Sequence, residues 1–241
     1  MIALPSSLPA SGPSLFTVAT ISLLLGFRHA FEPDHLAAVS TLATRQGRLL
    51  EASWLGIVWG VGHTASVAVV ALLVIGAGVS LPPRLWPAAD FLVGLLLVAL
   101  GAAVLLRYAR GRWHMHRHSH DGAPHLHLHS HARDAGHTHT HGRRDLRRSL
   151  GFGLLHGLAG SGAIVVLLVA TVPTRAAQLA YLGAFGAGTI IGMLSVSLTL
   201  AAVVRLAARR GERWAAILHL SAAAASVTAG VALAWSVAAA L

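Results

Sequence analysis

The sequence Gly26-Phe-Arg-His-Ala-Phe-Glu-Pro-Asp-His-Leu36 places a polar cluster inside an apolar stretch that runs from residue 14 to residue 44. An unbroken helix over that stretch would be about 46 Å long, too long to cross ~30 Å of hydrocarbon upright. Pro33 removes a backbone donor and clashes with the carbonyl four residues back. We therefore expect a broken membrane helix whose polar side chains converge near the bilayer centre.

The composition supports a membrane protein. Hydrophobic residues make up 55% of the 241 residues, charged residues 11%, and the mean hydropathy is +0.69. Because a soluble domain carries roughly 25% charged residues, these values exclude soluble, disordered and coiled-coil chains. The absence of cysteine excludes disulfides, thiolate metal sites and cysteine nucleophiles.

Long apolar stretches predict an all-α, polytopic fold with six transmembrane helices. They cover residues 14–44, 52–76, 88–106, 149–172, 176–204 and 214–241. The domain organisation is a three-helix half over residues 1–106, a loop over 107–148 and a second three-helix half over 149–241. The halves enter the membrane from opposite sides, which favours a 3+3 inverted repeat with a site near the midplane. Gly188 and Gly192 form a GxxxG pattern typical of close helix packing, within the chain or in a homo-oligomer.

The arginines predict the orientation. Fifteen of the eighteen lie in three alternate loops, 45–51, 107–148 and 205–213, and the chain has no lysine. Such loops stay on the cytoplasmic side, so we expect a prokaryotic inner-membrane protein with both termini outside. The net charge of +10 then reflects topology, and no nucleic-acid partner is predicted.

The polar cluster has the chemistry of a metal site. His29, His35 and Asp34 offer imidazole and carboxylate ligands, which suit divalent ions such as Ni, Co and Zn. Glu32 is a further candidate ligand. The alternative is an internal ion-pair network, in which Arg28 would pair with Glu32 one helical turn away.

Three further histidines lie in predicted spans. His63 and His156 each close a Gly-x-x-His pattern that also occurs over residues 26–29. An ionisable group at membrane depth is a functional candidate by default, although a lone histidine also commonly bonds a neighbouring helix. We include both in the candidate site, and we interpret His219, within two turns of a basic loop, as a histidine bonded to a neighbouring helix. Which of Glu32, His156 and His219 bind metal stays open.

The segment 107–148 is rich in histidine and poor in apolar residues, so we expect it to be disordered and to bind metal as an accessory segment. Its histidines are His114, His116, His118, His120, His125, His127, His129, His131, His137, His139 and His141.

Two stretches carry a family resemblance. Residues 28–36 resemble the HX4DH signature of the nickel/cobalt transporter family, RHA-x-D-A-D-H-I, with Glu32 and Pro33 as departures. Residues 59–67 resemble its Gly-His-Ser/Thr signature. Residues 155–161 are similar to the short urease-accessory-type nickel permeases, and the later LGFDTATE signature is absent. The cytoplasmic histidine-rich loop resembles that of nickel/cobalt efflux members.

The resemblance implies Ni(II) or Co(II) transport with His29, Asp34, His35 and His63 as the central site. We predict a transporter with uptake slightly favoured, and no prosthetic group beyond the transported ion. Efflux by the same fold and a non-transporting metal sensor or assembly factor are the alternatives. An enzyme is disfavoured because the chain has no HExxH motif. The predicted partners are divalent metal ions, the lipid bilayer, a second copy of the chain and cytoplasmic nickel chaperones.

Overall fold

The computed structural model describes residues 14–43, 49–78, 82, 84–110, 114–120, 123–129, 141–158, 165 and 168–239. Residues 42–43, 114–120, 123–129 and 141–144 are described by their backbone alone.

The first predicted span is two helices, α1 (Leu15–His29) and α2 (Pro33–Ala43), which meet at 55°. Ser14 begins α1 by accepting a hydrogen bond from the Thr17 amide at 3.1 Å. Pro33 is the first residue of α2, where its missing N–H is not needed. The predicted break is therefore present and occupies residues 30–32.

The remaining helices are α3 (Leu49–Ala77), α4 (Leu85–Ala109), α5 (His141–Gly157), α6 (Arg175–Arg210) and α7 (Glu212–Ala238). α3, α4, α6 and α7 are each long and apolar enough to cross a membrane. Large apolar side chains point outward along the bundle, such as Leu92 at 59% and Trp235 at 74% exposed. Such a surface suits lipid rather than water. α6 ends at Gly211, whose φ of 135° favours glycine.

The span count differs from the predicted six. The described residues hold four candidate spans, or five if α1 and α2 are one broken span. The predicted fourth span, 149–172, lies partly outside the described residues. Its first described residues, 149–157, belong to α5, which begins inside the predicted loop at His141 and carries the exposed Arg147 and Arg148. α5 is therefore too short and too charged in its first half to count as a span by itself.

The histidine-rich segment also differs from the prediction. Its backbone forms two antiparallel strands, β1 (His114–His120) and β2 (Ala123–His129), with His114 paired to His129. Disorder is thus the wrong expectation for these residues. The single-residue spacing of the histidines has the period of a β-strand, which the composition argument overlooked. His131, His137 and His139 lie outside the described residues, and His141 begins α5.

Glycines determine how the helices pair. We call a line of close contacts between glycines of one helix and the backbone of its neighbour a seam. Gly26 of α1 lies so close to the Phe185 carbonyl that a Cβ would overlap it, and Gly192 of α6 likewise abuts Ala30. Because the residue numbers at these contacts increase in the same direction along both helices, α1 and α6 are parallel. Gly188, the other glycine of the GxxxG pattern, abuts the Leu23 carbonyl in the same seam. The pattern therefore serves packing within the chain.

The other pairs follow the same logic. Gly153 and Gly157 of α5 abut Trp59 and Ser66 of α3, so these helices are parallel. Gly60 abuts Ile190. Gly56 abuts Met193, so α3 and α6 are antiparallel. It follows that α1 and α5 run toward the middle of the bundle from opposite ends. α4 packs on α7.

Candidate metal centre

Four buried histidines from four helices meet where α1 and α5 end. His29 is the last residue of α1, His35 is in the first turn of α2, His63 is at the middle of α3 and His156 is in the last turn of α5. Each is at most 5% exposed. The ring of His35 is central, with centroids 4.5 Å from His29, 5.1 Å from His63 and 4.1 Å from His156.

One side of the cluster joins α1 to α3. The Nε2 atoms of His29 and His63 are 3.0 Å apart. The other ring nitrogen of His29, Nδ1, is 3.1 Å from Oε2 of Glu32, a side chain that is 44% exposed. The side-chain contact seen at Glu32 is therefore with His29, in place of the alternative pair with Arg28.

Asp34 holds the other side of the cluster. Its Oδ1 accepts a hydrogen bond from the His35 amide at 2.9 Å and lies 3.1 Å from the His35 Nδ1. Its Oδ2 lies 2.9 Å from the Nε2 of His156. The carboxylate also sits in the first turn of α2, where the helix dipole favours negative charge.

These bonds determine which nitrogens remain available. An ionised carboxylate only accepts, so His35 donates through Nδ1 and His156 through Nε2. The His35 Nε2 and the His156 Nδ1 then carry no proton, and each has a free lone pair. Both atoms are buried and have no hydrogen-bond partner among the described residues. The His63 Nδ1 is buried in the same way. Leaving such atoms unpaired costs about 1–3 kcal/mol each, and a cation among them would remove that cost.

The cluster contains two overlapping groups with metal-ligand spacing. His29, His35 and His63 form one, and Asp34, His35 and His156 form the other, each with ligand atoms within 4.8 Å of one another. His35 belongs to both. The carboxyl ends of α1 and α5 also reach this point, and helix C-termini carry partial negative charge that favours a cation.

Five of the six residues predicted for the membrane site are thus gathered in these two groups, and Glu32 and His219 lie outside them. Glu32 lies at the edge of the cluster, in contact with His29 alone among its histidines. His219 is buried in α7 and belongs to neither group. The sequence reasoning missed the aromatic rings over the cluster, Phe185 at 5.5 Å from His29 and Trp59 at 5.9 Å from His156. Their adjacency to seam glycines was the available signal.

A bundle of apolar helices around buried imidazoles and a carboxylate defines a multi-pass membrane protein that handles divalent metal. The model of the NicO family, described as high-affinity nickel-transport protein, matches residues 15–162. The chain belongs to this family of nickel transporters. The urease accessory protein UreH of Bacillus sp. (strain TB-90) is 33% identical over 196 residues, which cover 81% of each chain. No solved structure gives a significant match.

Proposed function

We propose that this protein carries Ni(II), and also Co(II), across a prokaryotic inner membrane through a midplane site made of His29, Asp34, His35, His63 and His156. The observation that carries the proposal is the set of bare, buried imidazole nitrogens beside one carboxylate. Neutral imidazoles suit both ions, and Asp34 offsets part of the charge of the dication in the bilayer.

The spacing of the first group fits a metal ion. Two imidazole nitrogens bound at ~2.1 Å and at a right angle lie ~3.0 Å apart. The Nε2 atoms of His29 and His63, which share one hydrogen bond, have that separation, so an ion bound between them would replace the shared proton. Because His35 belongs to both groups, an ion can pass from one to the other while keeping one ligand. Binding in steps of this kind permits release as well as capture.

Alternating access is the mechanism we propose, based on six spans in a 3+3 inverted repeat. Matched contacts support the repeat. Gly26 abuts the Phe185 carbonyl as Gly153 abuts that of Trp59, and each glycine precedes a cluster histidine by three positions. A further pair agrees: Gly188 abuts the Leu23 carbonyl as Gly62 abuts that of Leu150. α1 and α5 thereby occupy equivalent places in opposite directions.

We propose import as the direction of transport. The arginine distribution supports a cytoplasmic histidine-rich segment and external termini. We also take the name of the relative, a urease accessory protein, as support for import, since imported metal would serve such an enzyme. The segment would take up the released ion and pass it to cytoplasmic nickel chaperones. A homo-oligomer would need a face other than the Gly188–Gly192 seam, which α1 occupies.

Metal flux into proteoliposomes tests the proposal, with Ni, Co, Zn and Mn compared. The wild-type protein should accumulate Ni and Co. His29→Ala and His35→Ala should each abolish flux at equal protein content, whereas Ser226→Ala, which removes a buried hydroxyl bonded to the Leu97 carbonyl of α4, should not. Near-normal Ni flux in both histidine variants would refute the site.

A further inference from the structure

We infer that Phe185 and Trp59 are the two gates of the metal cluster, each closing it toward one end of the bundle. The inference rests on the proposed transport function and identifies the residues that control access to its site.

The two rings cover the cluster. The Phe185 ring lies 5.5 Å from the His29 ring, and the Trp59 ring lies 5.9 Å from the His156 ring. Phe185 is 4% exposed and Trp59 is 1% exposed. A cation with any of its water can pass such a buried ring only if the side chain moves.

The rings occupy equivalent places in the two halves. The backbone of Phe185 packs on Gly26, and that of Trp59 packs on Gly153. His29 and His156, the imidazoles that the rings cover, lie about one turn after these glycines. A repeat that carries α1 onto α5 therefore carries Phe185 onto Trp59, as expected for paired gates.

They also face opposite ends. α3 and α6 are antiparallel, with Thr64 donating to the Gly186 carbonyl at 3.4 Å and Gly60 packed on Ile190. Trp59 consequently lies ~9 Å nearer than Phe185 to the end where α3 begins, at a rise of ~1.5 Å per residue. The cluster residue of α3, His63, lies between the two levels.

Polar groups lead to Phe185 from its end of the bundle. Tyr181 stacks on Phe185 with centroids 6.4 Å apart, and Gln178 follows one turn further out. The Tyr181 hydroxyl and the Gln178 Oε1 are buried without a hydrogen-bond partner among the described residues. Gln178 lines a cavity of about 300 Å³. The other residues that line it are Val74, Ile75, Ala170, Pro173 and Arg175.

Arg175 lines this cavity and donates to the Ile75 carbonyl at 2.6 Å, so the cavity is not a resting site for a cation. The end beyond Trp59 is packed differently. Leu55 and Ala52 are 5% and 0% exposed, and Ser149 donates to the Leu55 carbonyl at 2.8 Å. In this conformation Phe185 separates the cluster from a path of polar groups, whereas apolar packing continues beyond Trp59.

Sided labelling of a single thiol tests the gates, because the chain contains no cysteine. His63→Cys places a thiol between the two rings. A cationic, membrane-impermeant thiosulfonate is applied to right-side-out and to inside-out membrane vesicles containing the full chain. Phe185→Ala should speed labelling at least about tenfold in one vesicle type, equivalent to a barrier lower by ~1.4 kcal/mol. Trp59→Ala should do so only in the other type.

Phe152→Ala is the matched control, because it removes an aromatic ring that packs against Trp59, with centroids 6.0 Å apart, and leaves both proposed gates in place. It should leave both rates unchanged. If an alanine variant fails to fold, Phe185→Leu and Trp59→Leu should show the same sidedness with smaller effects. Equal acceleration from both sides, acceleration from the same side in both variants, or no acceleration would overturn the gates. Labelling needs no nickel, so this outcome is independent of whether the wild type transports nickel.

Discussion

His156 and Asp34 are 122 positions apart in the chain, yet the Nε2 of the first lies 2.9 Å from the Oδ2 of the second. The pair joins α5 to α2 and so ties the two halves of the chain together at the cluster. It also fixes His156 with Nδ1 bare, since Nε2 donates to the carboxylate.

Removing either partner should weaken nickel binding in a coupled way. We expect Asp34→Asn and His156→Ala each to raise the Kd for Ni(II) by about 10–100-fold. The double variant should fall short of the product of the two effects, because the partners act on one ion. Isothermal titration of the purified protein measures all three. Fully multiplicative effects would show that the two side chains bind independently.

Pro33→Ala should weaken metal binding without unfolding the protein. With an N–H restored, α1 and α2 can join across residues 30–32, which would turn Asp34 and His35 away from His29. The helical circular dichroism should be kept while the Ni(II) affinity falls. An unchanged affinity would mean that side-chain packing, and not the proline, maintains the 55° bend.

The seam between α1 and α6 should tolerate no added methyl group. Gly188→Ala would press a Cβ into the Leu23 carbonyl, and overpacking of this kind costs about 1–3 kcal/mol. Gly183→Ala, on the same helix, meets nothing within 4 Å and should be neutral or slightly stabilising. Thermal unfolding in detergent compares the two. Equal Tm values would argue against a tight seam.

Replacing the eleven histidines of segment 107–148 with serine should lower the total metal bound but leave the order of transported metals unchanged. Buried ligands held by packed helices accept fewer geometries than a ligand-rich connecting segment does. Competitive Ni, Co and Zn flux decides the matter. A changed order would make the segment the selecting element.

Local sequence determined much of the helical architecture. Apolar length predicted α3, α4, α6 and α7 to within a few residues at most ends, and Pro33 predicted the break. The pairing of α1 with α6 was not predictable, since a glycine in a helix does not reveal which neighbour will approach it. The strands at 114–129 were missed because composition was weighed above spacing.

The same limit applies to the site. His29, Asp34 and His35 are close in sequence, and membrane depth added His63 and His156. Which atoms face one another depends on the crossing of helices, so the contact of Asp34 with His156 could not be read from periodicity. The covering rings were marked only by the glycines beside them, because an aromatic residue in an apolar helix has the same pattern whether it faces lipid or a ligand.

The crossed glycine seams have a consequence for biosynthesis. α1 packs on α6, so the contact partner of Gly26 is available only after Phe185 has left the ribosome. At 5–20 residues per second, that interval is roughly 8–30 s. During this interval the first half of the nascent chain lies in the bilayer without α6 packed against α1, and its set of metal ligands is incomplete. Maturation of the protein is therefore completed only near the end of translation, when the second half closes the first.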